Sequence, residues 1–189
     1  MSVDEVVGDR RVRRSRAGLF RAAVELVGEQ GTSNVPVSEL AEAADVSRQL
    51  VYQQFGDRDT LLLEAALDLA RRELTAHIHL DREVSASRMV LALRHFAQYR
   101  SFYRAMFTGP SAYPLTLALI ELFSPFNREL VRRMGDVPAD VADDLTTFVT
   151  GGWAAVINDW IINGPEPLDV EPFAERLWKL LTAINPETR

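Results

Sequence analysis

Residues 37–61 read VSELAEAADVSRQLVYQQFGDRDTL. Val37, Leu40, Ala41 and Ala44 recur at helical spacing, which predicts a short helix over Val37–Ala44 with one apolar side. Asp45-Val46-Ser47 follows, and Ser47 is a favourable N-cap for a next helix over Arg48–Gln54. Phe55 closes that helix, Gly56 breaks it, and Asp57 caps a fourth helix that continues to about His79. Asp45, in the turn, is a residue that tolerates a left-handed backbone. Two short helices joined by a three-residue turn, between longer helices, have the outline of a helix-turn-helix.

Helical spacing continues on both sides. Upstream, Leu19, Phe20, Ala23, Leu26 and Val27 make one apolar face of a helix over Arg11–Gln30, which Gly31 ends. Downstream, one or two helices are expected over Ser85–Phe107, and Gly109-Pro110 is a break. Another helix is expected over Pro114–Met134, kinked at Pro125, which cannot donate a backbone hydrogen bond. The next covers Pro138–Ile162, with Asp140, Asp143 and Asp144 suited to the positive end of its dipole. Asn163-Gly164-Pro165 stops it, and a last helix over Glu171–Ile184 carries Phe173, Leu177, Leu180, Leu181 and Ile184 as its stripe. No alternating strand pattern occurs. The expected fold class is all-α, with about nine helices.

The chain has 189 residues, enough for a small helical module plus a second helical domain. Residues 1–57 are expected to form the first domain, with a basic arm over about 1–14, and 58–189 the second. No cysteine is present, which excludes disulfides, zinc knuckles and thiol catalysis. His77 and His79 are two residues apart and would point to different helix faces, so with His95 they make no metal site. No metal or cofactor is expected. No apolar stretch approaches bilayer length and the N-terminus does not read as a secretory signal, so a cytoplasmic protein without membrane contact is expected. No nucleophile elbow, phosphate loop or paired-carboxylate constellation stands out, so an enzyme is not expected.

The net charge of −6 argues by itself against nucleic acid, but its distribution matters more. Arg10, Arg11, Arg13, Arg14, Arg16 and Arg21 cluster without an intervening acid, a local charge able to neutralise phosphates.

The stretch from Leu19 through Leu61 resembles the DNA-binding domain of the TetR family of regulators. The matching residues are Leu19, Ala22, Ala23, Leu26, Gly31, Ala41, Val46, Ser47, Tyr52, Phe55, Arg58 and Leu61. The resemblance covers about residues 10–67. It implies a helix-turn-helix protein with a C-terminal domain that binds a small effector and dimerises. Tyr52 resembles the family's phosphate-contacting tyrosine, and Ser47 adds a phosphate bond beyond its capping role. Arg58 stands where the family has a lysine. Pro36 stands where the family often has a phosphate-contacting threonine, and Ser38 is the substitute. In the recognition helix, Arg48 suits guanine, Gln49 or Gln53 suits adenine, and Leu50 suits a thymine methyl. Val51 and Phe55 belong to the core.

Half of the chain's aromatic residues lie within residues 96–126. Phe96, Tyr99, Phe102, Tyr103 and Phe107, with Met106, Phe123 and Phe126, are therefore candidates for lining an apolar effector pocket. Phe148 and Asn158 complete the candidate set. Gly151-Gly152 sits in mid-helix at a propensity cost of about 0.8–1.0 kcal/mol each, which implies close approach of another helix. GGWAAVINDW resembles the segment that many TetR-family members use for dimerisation, which makes Gly151, Gly152, Ala155, Val156 and Trp160 interface candidates, with Trp178 and Leu181 of the last helix. The expectation is a homodimeric repressor that binds a palindromic operator in double-stranded DNA and is released by a small, largely apolar effector. Activation or effector-independent DNA binding by the same fold is the alternative.

Overall fold

A computed structural model describes the backbone of residues 3–75, 86–132 and 137–184, and side chains in these ranges except 3–11, 75, 86–88, 139, 181, 182 and 184. Among the described residues there are nine helices and no strand. They are α1 (Val3–Gln30), α2 (Val37–Ala43), α3 (Arg48–Phe55), α4 (Arg58–Ala70), α5 (Ala86–Gln98), α6 (Arg100–Phe107), α7 (Ala112–Arg132), α8 (Ala139–Asn163) and α9 (Val170–Ile184). One wide π turn, Arg71–Thr75, continues α4.

One boundary differs widely from the sequence expectation. Helix α1 starts at Val3 rather than Arg11, because extending an existing helix costs far less than nucleating one. The 85–107 region is two helices, divided at Tyr99. Helix α7 runs without a break through Pro125. Pro125 and Glu121 are both exposed, so water can satisfy the carbonyl that the proline leaves unpaired.

The chain divides into two compact units, Met1–Leu69 with Ser101–Ala112, and Ala70–Arg100 with Tyr113–Arg189. In the first, Leu19, Ala23, Val27, Leu40, Val51 and Leu61 are buried. Helix α6 joins this core: the position of a β-carbon on Gly28 of α1 lies 3.8 Å from the backbone nitrogen of Phe102. Phe102, Tyr103 and Met106 are buried there, and Tyr103 stacks on Phe107 at 6.2 Å. Gly109 is required at the following turn, since a β-carbon would collide with the Ser33 hydroxyl.

In the second unit, Trp160 of α8 stacks on Phe173 of α9 with ring centres 4.3 Å apart and donates its indole N–H to Asp169. Thr146 and Thr150 are buried on α8, and each hydroxyl donates to the carbonyl four residues back, so neither polar group is stranded. Arg100 binds the C-terminal end of α8. Its guanidinium donates to the carbonyls of Ile161 (3.0 Å), Gly164 (2.7 Å) and Pro165 (2.8 Å), and it pairs with Glu166. Helix-terminal carbonyls lack intrahelical donors, and a cation there also meets the negative end of the dipole.

Candidate nucleic-acid interface and internal cavity

The turn between α2 and α3 is built from backbone hydrogen bonds. Asp45 takes a left-handed φ of 52°, as its residue type allows. Its N–H donates to the Glu42 carbonyl at 3.0 Å, and the Val46 N–H donates to the Ala41 carbonyl at 2.9 Å. This crossed pair closes a helix end and reverses the chain without a glycine. Ser47 then caps α3, its Oγ accepting the Leu50 N–H at 3.2 Å. The cap uses the oxygen's lone pair and leaves the hydroxyl proton available to a phosphate. We expect Ser47→Ala to remove about 1 kcal/mol and to lower the melting temperature by about 2–4 °C. A thermal melt followed by circular dichroism measures this, and an unchanged midpoint would deny the cap any role in stability.

Helix α3 is anchored by buried Val51 and Phe55. Phe55 tilts against Phe20 of α1 at 5.7 Å. The Arg16 guanidinium lies 4.9 Å from the centre of the Phe55 ring and 5.1 Å from that of Phe20, and it also pairs with Glu64. Arg16 is thus committed to its own domain, while Arg14 and Arg21 are exposed. The side chains of Arg10 and Arg11 lie outside the described residues. With the inner face so fixed, Arg48, Gln49, Tyr52 and Gln53 are exposed in two i, i+4 pairs, and Tyr52 keeps 54% of its surface open. Ser38 is exposed at the start of α2, and Leu50 is half-buried.

Arg58 is the residue expected to stand in for the family's lysine as a phosphate donor. It is half-buried and donates to Asp59 at 2.9 Å and to Asn34 at 2.6 Å, tying α4 to the loop between α1 and α2. The adjacent Asp57 caps α4 by accepting the Thr60 N–H at 2.7 Å, and that bond holds its carboxyl below the ordinary 3.8.

In the second unit, α5, α7, α8 and α9 line a partly open cavity of about 150 Å³. Of the residues expected to line a pocket, Phe96, Phe123, Phe126 and Asn158 do so. Trp153, Ile157 and Trp178 are among the further residues of its apolar wall. The other candidates lie elsewhere. Phe102, Tyr103, Met106 and Phe107 are core of the first unit, because α6 turns its apolar face there. Phe148 is 66% exposed. Spacing identifies an apolar face but not the neighbour it meets.

Tyr99 belongs to a polar cluster. Its hydroxyl donates to Glu73 Oε1 at 2.6 Å, and Nδ1–H of buried His95 donates to Oε2 at 2.9 Å. Burial pushes the Glu73 carboxyl up, but the hydrogen bonds from Tyr99 and His95 outweigh it and hold the group below 4.5. Burial lowers His95 from 6.5 and wins over the attraction of Glu73, so the ring is neutral at pH 7. The bond to Glu73 raises the Tyr99 phenol. With His95 depressed in the fold, the unfolded chain binds the proton first, so stability falls as pH drops below about 6.5. Glu73 adds a further loss below about 4.5. Urea midpoints taken from pH 7 to pH 5 are expected to fall less steeply in His95→Gln than in the parent. Parallel slopes would remove His95 as the cause.

Among the described residues, no three metal-ligating side chains cluster and no helix is long and apolar enough to cross a membrane.

Residues 19–65, from the middle of α1 through most of α4, match the family described as bacterial regulatory proteins, tetR family. The tetR-family match thus lies within the first unit. Over 81 residues, covering 41% of this chain and 35% of the relative, it is 37% identical to the HTH-type transcriptional regulator HbdR of Aromatoleum sp. (strain CIB). Over 106 residues, covering 56% of this chain and 46% of the relative, it is 29% identical to the HTH-type transcriptional regulator AlkX of Mycobacterium tuberculosis. The matches therefore span less than half the length of these relatives, both of them transcriptional regulators. The crystal structure of the TetR family repressor AlkX from Dietzia sp., implicated in biodegradation of n-alkanes, shares the fold with a TM-score of 0.63. That likeness covers 91% of this chain and 95% of the other at 22% identity.

The residues expected at a tetR-family dimer interface are divided. Gly152 and Ala155 are exposed, Gly151 and Val156 half-buried, and a β-carbon on either glycine would meet nothing within 4 Å. Trp160 is buried in its own unit against Phe173, and Trp178 is half-buried and lines the cavity. The side chain of Leu181 lies outside the described residues.

Proposed function

We propose that the chain is a homodimeric, sequence-specific repressor of transcription, released from a palindromic operator when a small apolar molecule fills the cavity of the second unit. The observation that carries this reading is the exposed face of α3. Arg48, Gln49, Tyr52 and Gln53 stand clear of their own domain while Val51 and Phe55 hold the helix down. These are residue types that pair with base edges and phosphates in a major groove. Arg14 and Arg21 supply exposed positive charge on α1. Arg58 contributes by setting the loop before α2.

The dimer would use α8. Val141, Phe148, Gly152 and Ala155 recur on that helix and are exposed, which leaves an apolar strip that its own unit does not cover. The glycine pair would then meet a partner helix that the chain itself does not provide. Sedimentation is expected to give a dimer for the parent and a folded monomer for Phe148→Glu. A dimeric Phe148→Glu would move the interface elsewhere. Effector action requires unequal affinity for two states that space the recognition helices differently.

The experiment is selection of genomic DNA fragments by the purified protein at one near-physiological salt concentration, since non-specific binding is steeply salt-dependent. A palindrome with half-sites roughly 34–36 Å apart is expected. Folded protein that enriches no sequence overturns the reading.

A further inference from the structure

The cavity wall carries more chemistry than its apolar character. Among the described residues that line it, none is charged. A buried charge without a partner is strongly disfavoured, so this wall selects against ionised ligands. Its polar groups come as two asparagine–threonine pairs that bridge α7 and α8. Asn127 Nδ2 donates to Thr150 Oγ1 at 2.9 Å, and Asn158 Nδ2 donates to Thr116 Oγ1 at 3.1 Å.

The first pair has a determined direction. The Thr150 hydroxyl proton is committed to the Thr146 carbonyl at 2.7 Å, so Thr150 can only accept from Asn127. Asn127 must therefore turn its N–H toward Thr150. Its Oδ1 is left without a protein donor among the described residues. An amide oxygen in an otherwise apolar wall is a place for a ligand's O–H or N–H. Between the pairs, Thr150 and Asn158 are two turns apart on α8, about 12 Å. Trp153, Ala154 and Ile157 fill that interval, with Phe123 and Ile120 from α7. The site is thus an apolar slot with a polar anchor at each end.

We infer that the cavity takes an uncharged, elongated molecule with an apolar body and a hydroxyl or N–H donor at the end beside Asn127. This rests on reading the cavity as the effector site. The neutral donor satisfies Asn127 Oδ1, and the body lies along Trp153 and Ile157. A carboxylate at the same end would face an acceptor oxygen, and an ammonium would have no anion to pair with.

The test uses the full chain and four probes with the same eight-carbon tail: 1-octanol, octanoate, octyltrimethylammonium and octane. Binding is read at pH 7 by the change in tryptophan fluorescence, since Trp153 and Trp178 line the cavity. Octanol is expected to bind best, with both ions at least about tenfold weaker. Asn127→Leu is expected to weaken octanol about tenfold and leave octane unchanged. Ala154→Trp, which fills the slot, is expected to abolish all binding, and circular dichroism confirms that both variants are folded. An ion that binds best and is blocked by Ala154→Trp overturns the ligand class while leaving the cavity as a binding site. Octanol binding unaffected by Asn127→Leu overturns the anchor. No binding by any probe, or binding indifferent to Ala154→Trp in a folded protein, overturns the cavity reading itself, whatever the DNA selection shows.

Discussion

Arg100→Ala is expected to lower the melting temperature by about 6–12 °C, taking roughly 3 kcal/mol at about 2–4 °C per kcal/mol for a chain of this size. The side chain is only 13% exposed and serves three carbonyls where α8 ends and the chain turns toward α9. A single hydrogen bond from a charged donor contributes about 1.5–3 kcal/mol. Three bonds from one planar group are not additive, because water replaces part of what is lost. Arg100→Lys is expected to recover less than half of the difference, since an ammonium cannot span three acceptors in a fixed fork. Differential scanning calorimetry of the three proteins decides it. An Arg100→Ala protein melting within a degree or two of the parent would show that the α8 end is held by other contacts. The consequence reaches the cavity, because α8 supplies Trp153, Ile157 and Asn158 to its wall.

The second large effect concerns α3. Arg48→Ala is expected to weaken operator binding by about 10- to 100-fold, the equivalent of roughly 1–3 kcal/mol for one lost bidentate base contact, and to relax preference at one base pair in each half-site. Arg48 is exposed, and among the described residues no hydrogen bond or ion pair holds it, so the melting temperature is expected to stay within about 1 °C of the parent. Tyr52→Phe removes only a hydroxyl and is expected to weaken all sequences alike. Fluorescence anisotropy on the selected operator and on a scrambled duplex separates the two outcomes. Equal losses on both duplexes in Arg48→Ala would reassign Arg48 to the phosphate backbone. Unchanged affinity would remove α3 from the interface.

Much of the first unit was legible in the sequence because its signals are local. Ser47 as a cap, Asp45 in a left-handed turn and Gly31 and Gly56 at helix ends each depend on residues within a few positions. Val51 and Phe55 follow from helical period, and the same period leaves Arg48, Gln49, Tyr52 and Gln53 outside. Arg58 shows the limit of that reasoning. Its partner Asn34 is 24 residues away, and nothing near Arg58 in sequence announces a side-chain oxygen there. Arg16 is the same case: in sequence it belongs to a basic cluster, yet Phe20, Phe55 and Glu64 converge on it only when α1, α3 and α4 pack.

The second unit divides more sharply. Sequence alone determined that the region is helical, that its helices break near Gly109 and Gly164, and that aromatic side chains are concentrated before residue 127. Tertiary structure decided which of those aromatics surround a cavity. Phe96 on α5 does, while Tyr103 and Phe107 on α6 are spent on the first unit. It also brought Asn127 and Thr150 together across 23 residues and Glu73, His95 and Tyr99 into one cluster. The physical reason is the range of the forces. Capping, turn geometry and periodicity act between near neighbours and are written into adjacent residues. Burial is non-directional, so an apolar face states only that it will be covered, and the packing of whole helices selects what covers it.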